Sequence, residues 1–315
     1  MDKRIKISVC GASHDVVEIV YNNLTKIPFF EVKNSEDFQD CDIIYWIFGK
    51  GPSIKKYFPV WIKKDPIIIN HWIGSDVIHE IERNRQLGIA RIKNSIQDYI
   101  FHRKWKMGGL INLTSAPWLA NELSPFNISA TYLAITTLDL DELGQFDANL
   151  PKDIDFLSYI PFRSWEFYGG DKVLKLAKRW QNYKFLLICV DLNEIPSEFG
   201  EKMPKNVILS PKVSRSKMME LYQRSKFFIR YTQHDAVSLS VLESLYFKLQ
   251  VLWTYEFPFT QKIQAPEELS DSIPYLVQNW SPNEDGHIFV SENYSTEKFR
   301  EGIIKVFQNI KKSNR

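Results

Sequence analysis

Two acidic side chains eight residues apart, Asp235 and Glu243, stand in the segment Phe228-Ile229-Arg230-Tyr231-Thr232-Gln233-His234-Asp235-Ala236-Val237-Ser238-Leu239-Ser240-Val241-Leu242-Glu243-Ser244-Leu245. An apolar run of strand type passes through a polar turn into a helix that starts near Ser238, Leu239 and Ser240. The first N–H groups of a helix lack intrahelical acceptors and lie at the positive end of its dipole, so this start favours a phosphate. The two acids then admit two readings. They face a cleft mouth, or Ser240 and Glu243 form a capping box while Asp235 shapes the turn.

Further chemistry-bearing types cluster in two other places. Ser158-Tyr159-Ile160-Pro161-Phe162-Arg163-Ser164-Trp165-Glu166-Phe167-Tyr168-Gly169-Gly170-Asp171-Lys172 carries two cations, Arg163 and Lys172, around the pair Gly169-Gly170. Those glycines admit close approach of backbone to a diphosphate, or simply a turn before a helix. In the amino-terminal half, Asn70-His71-Trp72-Ile73-Gly74-Ser75-Asp76-Val77 follows a buried run. There His71 is a polar residue at a strand end, Gly74 permits a tight turn, and Ser75 or Asp76 is placed to cap the next helix. Gly11 and Ser13 sit in the turn after the first strand. No GxGxxG or GxxxxGK[ST] occurs, which leaves dinucleotide and P-loop sites unsupported. Asp139-Leu140-Asp141 has the form of a metal-binding DxD but stands beside Glu142 in an acidic connecting stretch and is read as solvated charge. With no HxH or HExxH, no protein-bound catalytic metal and no cofactor is expected.

Strand-length apolar runs recur at residues 5–10, 42–48, 66–70, 110–113, 156–160, 184–190, 206–209, 227–232 and 251–254, alternating with helical segments such as 171–181, 216–224 and 239–247. Runs such as Phe185-Leu186-Leu187-Ile188-Cys189-Val190 are continuous, as in strands covered by helices on both faces. The expected fold is therefore α/β, two Rossmann-like doubly wound domains facing a cleft. The acidic stretch ending at Pro151 places the boundary near 150, giving domains 1–150 and 151–295. Phe299, Ile303, Ile304 and Phe307 predict an amphipathic helix over 296–315 that packs back on them.

The chain has 40 Lys+Arg against 38 Asp+Glu, a formal charge of +2, too balanced for a protein that neutralises many phosphates of a nucleic acid. Three scattered cysteines, Cys10, Cys41 and Cys189, suggest neither a disulfide framework nor a zinc site and fit a reducing compartment. No apolar run approaches the roughly 20 residues of a bilayer span. Two basic aromatic stretches, Lys50–Lys64 and His102–Lys106, suit either ordinary solvated faces or contact with anionic headgroups.

The segment from Asp235 to Glu243 resembles the acid-x7-acid signature of retaining glycosyltransferases of the GT-B fold, family-4-like. The resemblance implies a cytoplasmic enzyme transferring a sugar from a nucleotide-diphosphate donor (UDP-, GDP- or ADP-linked) to a hydroxyl acceptor such as a polysaccharide, and the basic aromatic stretches are compatible with a lipid-linked acceptor and peripheral contact with the inner face of a membrane. It assigns Glu243 to the nucleotide ribose, Asp235 to the donor sugar, and Arg163 to the diphosphate along with Gly169, Gly170, Lys172 and the helix start at Ser238, Leu239 and Ser240. Gly11, Ser13, His71, Gly74 and Asp76 fall on the acceptor side. Two positions depart from the family pattern: Asp235 stands where a Glu is usual, and Tyr168 where a Lys is. Two other readings share this fold, a sugar-nucleotide epimerase and a non-catalytic sugar-nucleotide-binding relative.

Overall fold

Apolar runs alternate with amphipathic ones along much of the chain, and parallel strands result, several of them joined by helical crossovers. The computed structural model of the protein describes residues 4–11, 13–49, 60, 65–85, 99–100, 103–104, 106, 109–144, 147, 149–161, 164–188, 190, 193, 195, 203–265, 269 and 272–313. It divides into two compact units, residues 1–137 with 296–315, and residues 138–295.

The first unit holds a parallel sheet of β1 (Ile5–Gly11), β2 (Phe30–Asn34), β3 (Ile43–Ile47), β4 (Ile67–Trp72), β5 (Leu110–Thr114) and β6 (Thr131–Tyr132). Their order is β2-β1-β3-β4-β5-β6, so the direction of winding reverses between β1 and β3. Ile7, Val9, Tyr45, Ile47, Ile69 and Leu113 form one core with Val17, Val20 and Leu24 of the helix His14–Thr25. The carboxyl-terminal helix Thr296–Ser313 buries Phe299, Ile303 and Phe307 in that same core. Close strand approach explains Gly11. A Cβ there would lie 1.9 Å from the Ile47 carbonyl oxygen, and its φ of +152° disfavours a side chain as well.

The second unit holds β7 (Ile154–Tyr159), β8 (Phe185–Ile188), β9 (Val207–Ser210), β10 (Ser225–Arg230), β11 (Gln250–Trp253) and β12 (Thr260–Lys262), in the order β12-β11-β10-β7-β8-β9. All pairs are parallel. Counted from β7, this is the 3-2-1-4-5-6 winding of dinucleotide-binding sheets, and it reverses between β7 and β10. Phe156 of β7 stacks on Phe185 and Phe227 with ring centroids 4.7 and 5.1 Å apart, locking the three central strands. Paired backbone runs as far as Leu157 and Phe228; beyond it the Ser158 hydroxyl donates to the Ile229 carbonyl at 2.9 Å.

Two features of the sequence reading need correction. The junction lies between Thr137 and Leu138, not near 150. Leu138 bridges Ser295, Glu142 pairs with Arg215, and the Tyr246 hydroxyl donates to the Gly144 carbonyl, so the acidic stretch belongs to the second unit. The strands β2, β6 and β12 also went unrecognised. All are sheet edges, covered by one neighbour only, and short or polar enough to lack an apolar run. Among the described residues no helix is long and apolar enough to cross a membrane.

Candidate nucleotide site

In a doubly wound sheet the loops on either side of the winding reversal diverge and leave a crevice at the carboxyl ends of the strands. Here those loops follow β7 and β10, and they carry most of the residues singled out in the second half of the sequence. Arg163 lies outside the described residues.

Packing fixes the two loops against each other. Gly169 adopts φ +62°, caps the helix Gly170–Arg179, and would bring a Cβ within 2.5 Å of the Tyr231 Cβ. A Cβ on Gly170 would lie 2.4 Å from the Trp165 ring. Gly169 is thus required by contact between the two loops and Gly170 by packing within the loop after β7, and the Gln233 amide donates to the Phe167 carbonyl at 3.0 Å across the seam between the loops. The Lys172 ammonium lies 5.3 Å from the Tyr231 ring centroid.

At the end of β10, Arg230 is only 6% exposed. Its Nε donates to Asp235 Oδ2 at 2.5 Å, its Nη1 approaches Ser240 Oγ at 3.4 Å, and its guanidinium lies 4.6 Å from the Tyr168 ring centroid. Burial disfavours the charge on Arg230, but Asp235 and then Tyr168 outweigh it and hold the guanidinium protonated. The Asp235 amide donates to the Tyr255 hydroxyl at 3.1 Å, and the hydroxyls of Ser238 and Ser240 are 2.9 Å apart. Tyr168, Arg230, Asp235, Ser238 and Ser240 are therefore one cluster.

Glu243 has different partners. The helix Leu239–Tyr246 buries Val241, Leu242 and Leu245, which carries Glu243 inward to 2% exposure. Its carboxylate accepts from Arg215 Nη1, with Tyr222 nearby, while Arg215 Nε reaches Glu142 at 3.1 Å. Burial raises the Glu243 pKa, and Arg215 and Tyr222 oppose the rise. The capping-box alternative is overturned: the N-cap is Ser238, without a side-chain cap bond, and Glu243 turns to Arg215 instead of back along the helix. Val241 and Leu242 donate to the Ser238 carbonyl. Among the described residues no acceptor meets the earlier amides, of Leu239 and Ser240, as expected at a helix start.

In the first unit the expected acceptor-side residues are built into the scaffold. His71 is fully buried; its Nε2 lies 2.9 Å from the Leu133 carbonyl oxygen and its Nδ1 2.6 Å from the Tyr45 hydroxyl. A carbonyl only accepts, so Nε2 carries the proton and Tyr45 donates to Nδ1. Burial pushes the His71 pKa down to about 3. The ring is neutral, and in this conformation neither nitrogen is open to an acceptor hydroxyl. Asp76 is 2% exposed and accepts from the amides of Gly49, Ile73, Gly74 and Val77 at 2.8–3.1 Å, clamping the loop after β3 to the loop after β4. Gly74 takes φ +124°, and Ser13 is the N-cap of His14–Thr25 without a side-chain cap bond.

Other motifs resolve simply. Asp139 caps the short helix Leu140–Leu143 by accepting from the Glu142 amide at 3.2 Å. Among the described residues no three metal-ligating side chains converge. Of the basic stretches, 50–59, 61–64, 101–102 and 105 lie outside the described residues. Lys104 is buried and paired with Asp65, which removes it from any headgroup surface, whereas Arg103 and Lys106 are exposed.

Neither a protein-family model nor a curated protein matches the sequence. Solved structures do match in fold. TarM superposes with a TM-score of 0.60 at 16% identity, covering 94% of this chain and 59% of that one. AviGT4, a glycosyltransferase involved in avilamycin A biosynthesis, gives 0.60 at 9% identity over 97% and 98% of the two chains. The fold is GT-B. A Listeria monocytogenes protein assigned as a UDP-N-acetylglucosamine 2-epimerase gives 0.57 at 11% identity over 98% and 97%. This GT-B chain spans little more than half the length of TarM but nearly the whole of the other two.

Sequence reasoning missed Arg230, Arg215, Tyr222 and Tyr255. A signal existed for Arg230, a charged residue closing the apolar run Phe227-Phe228-Ile229 five positions before an acid. Arg215 and Tyr222 carried none, because they reach Glu243 only through the packing of two helices.

Proposed function

We propose that the protein is a glycosyltransferase that moves a sugar from a nucleotide-diphosphate donor to a hydroxyl acceptor, with retention at the anomeric carbon and without a protein-bound metal. The observation that carries this reading is the placement of Asp235, Ser238, Ser240 and Glu243 on the loop and helix that follow β10, at the winding reversal of the second sheet. The donor would lie there. Glu243 would accept from the ribose hydroxyls, with Arg215 sharing its carboxylate, and Asp235 would face the donor sugar. Arg163, Lys172 and the amides of Leu239 and Ser240 would meet the diphosphate. During transfer the acceptor oxygen bonds to the anomeric carbon on the face that the diphosphate leaves, its proton passing to the departing diphosphate as the bond to that group breaks and charge grows on it. Fixed cations and amides aimed at that charge are the stabilisation the reaction needs.

The first unit would take the acceptor at the winding reversal between β1 and β3, where Gly11 and Ser13 lie, with His71, Gly74 and Asp76 shaping the neighbouring loops. A lipid-linked acceptor on an anionic membrane surface, at a cytoplasmic location, is compatible with exposed Arg103 and Lys106. The likeness to TarM supports the donor class, since Staphylococcus aureus TarM has been crystallised with UDP and α-GlcNAc-glycerol.

The test is a thermal-shift panel of UDP-, GDP- and ADP-sugars, followed by nucleotide release with and without acceptor, and by NMR of the product anomer. Binding followed by acceptor-dependent release supports the proposal. Product without acceptor would indicate an epimerase. The Asp235 carboxylate already engaged by Arg230 favours one alternative, a non-catalytic relative that binds donor but never releases free nucleotide. Activity abolished by EDTA and restored by Mn²⁺ would overturn metal independence.

A further inference from the structure

We infer that Arg230 is a further cation, beside Arg163 and Lys172, that meets the donor diphosphate, supplying from the end of β10 the charge that Tyr168 lacks; the inference rests on the nucleotide-sugar reading above. Position 168 departs from the family pattern by loss of a cation, and position 235 by shortening of an acid. In the structure both departures touch one residue. The Tyr168 ring lies against the Arg230 guanidinium at 4.6 Å, and Asp235 grips its Nε edge at 2.5 Å. The two changes then make sense together. An aromatic face fixes the plane of a guanidinium, and a shorter carboxylate five residues on reaches its edge.

Burial argues in the same direction. Phe227, Phe228 and Ile229 carry β10 through the core, and an apolar residue at 230 would continue it; a buried arginine–carboxylate pair adds little stability over such a replacement. The guanidinium has five N–H groups. Among the described residues, Asp235 and Ser240 each take one, with the Tyr168 ring alongside. The remaining N–H groups, beside the first turn of Leu239–Tyr246, can donate to oxygens of a ligand. Asp235 is on this account a positioning residue for Arg230.

The experiment is calorimetric titration of UDP, GDP and ADP, each against its parent nucleoside, into wild type, Arg230→Met, Arg230→Lys and Tyr168→Leu, with melting curves of each variant. In Arg230→Met the affinity for the preferred diphosphate should fall about ten- to a hundredfold, as for loss of charged hydrogen bonds, while nucleoside affinity stays at the wild-type value. Arg230→Lys should recover part of the loss, and millimolar guanidinium should restore turnover to Arg230→Met. If Arg230→Met does not fold, Arg230→Lys and Tyr168→Leu carry the test, each lowering diphosphate but not nucleoside affinity. Wild type that binds a diphosphate no better than the variants, or variants that lose diphosphate and nucleoside equally, would overturn the inference alone. Wild type that binds no nucleoside diphosphate would overturn the functional reading beneath it.

Discussion

His71 makes the first unit acid-sensitive in a way that can be worked out in advance. Its ordinary pKa, near 6.5 in an unfolded chain, drops to about 3 in the folded protein because burial disfavours the cation. Between those values the unfolded chain binds the proton and the folded one does not, so stability falls as pH falls through this window. At about 1.4 kcal/mol per pH unit, acidifying from pH 6.5 to 5 removes about 2 kcal/mol. For a unit of this size that corresponds to a drop of about 4–8 °C in melting temperature. The quantity to measure is therefore the difference between wild type and a variant that lacks this one imidazole. His71→Gln keeps a polar side chain between Tyr45 and Leu133 but has no proton to gain. Melting curves of both proteins from pH 7.5 to 5 should converge on the acid side as only wild type loses this increment. Parallel curves would refute the argument. A variant with unchanged melting at every pH but a large fall in kcat at pH 7 would instead make His71 a partner of the acceptor.

Three further outcomes follow from the geometry. Gly170→Ala forces a methyl against the Trp165 ring and should cost about 1–3 kcal/mol of overpacking strain, read by urea denaturation; an unchanged midpoint would mean that the loop after β7 yields freely. Glu243→Gln should weaken nucleotide binding about ten- to a hundredfold if its carboxylate holds the ribose, yet cost at most about 1 kcal/mol of stability, because half-exposed Arg215 can turn to solvent. Loss of stability without loss of affinity would leave Glu243 a purely structural acid. Asn206 donates to the carbonyls of Ala177, Trp180 and Tyr183 at 2.7–3.1 Å, closing the end of the helix Gly170–Arg179. Asn206→Ala should destabilise by about 1–3 kcal/mol with donor affinity intact, checked by denaturation and calorimetry side by side.

Central strands were legible because burial on both faces writes itself as a continuous apolar run, as in Phe185–Ile188 and Phe227–Ile229. Edge strands leave no such trace: Phe30-Glu31-Val32-Lys33-Asn34 is half charged and polar, and only its pairing with β1 makes it a strand. The same asymmetry governs the site. The positions of Asp235 in a turn, Gly169 before a helix and Glu243 on the helix that follows were readable from turn chemistry and order along the chain, but their partners were not. Spacing says that acids stand eight residues apart; it does not say that each faces a different arginine, one from the neighbouring strand end and one from the preceding helix.

That division has a physical consequence for function. An acid whose charge is already met inside the fold acts on a ligand either by sharing its cation or by holding that cation in place, and the two acids differ in which is open to them. Arg215 is more than one-third exposed and bridges a second acid, Glu142, so it can give up Glu243 to a ribose at small cost. Arg230 is almost fully enclosed, and releasing Asp235 from it would leave a buried charge unpaired, a cost of several kcal/mol. Asp235→Asn and Glu243→Gln should therefore fail differently. The first should slow transfer and weaken diphosphate binding through a misplaced Arg230, with a visible loss of stability. The second should weaken the nucleoside itself and leave the fold nearly untouched. Identical profiles for the two variants would show that the acids act as one pair on the ligand and that their separate arginines have no part in the distinction.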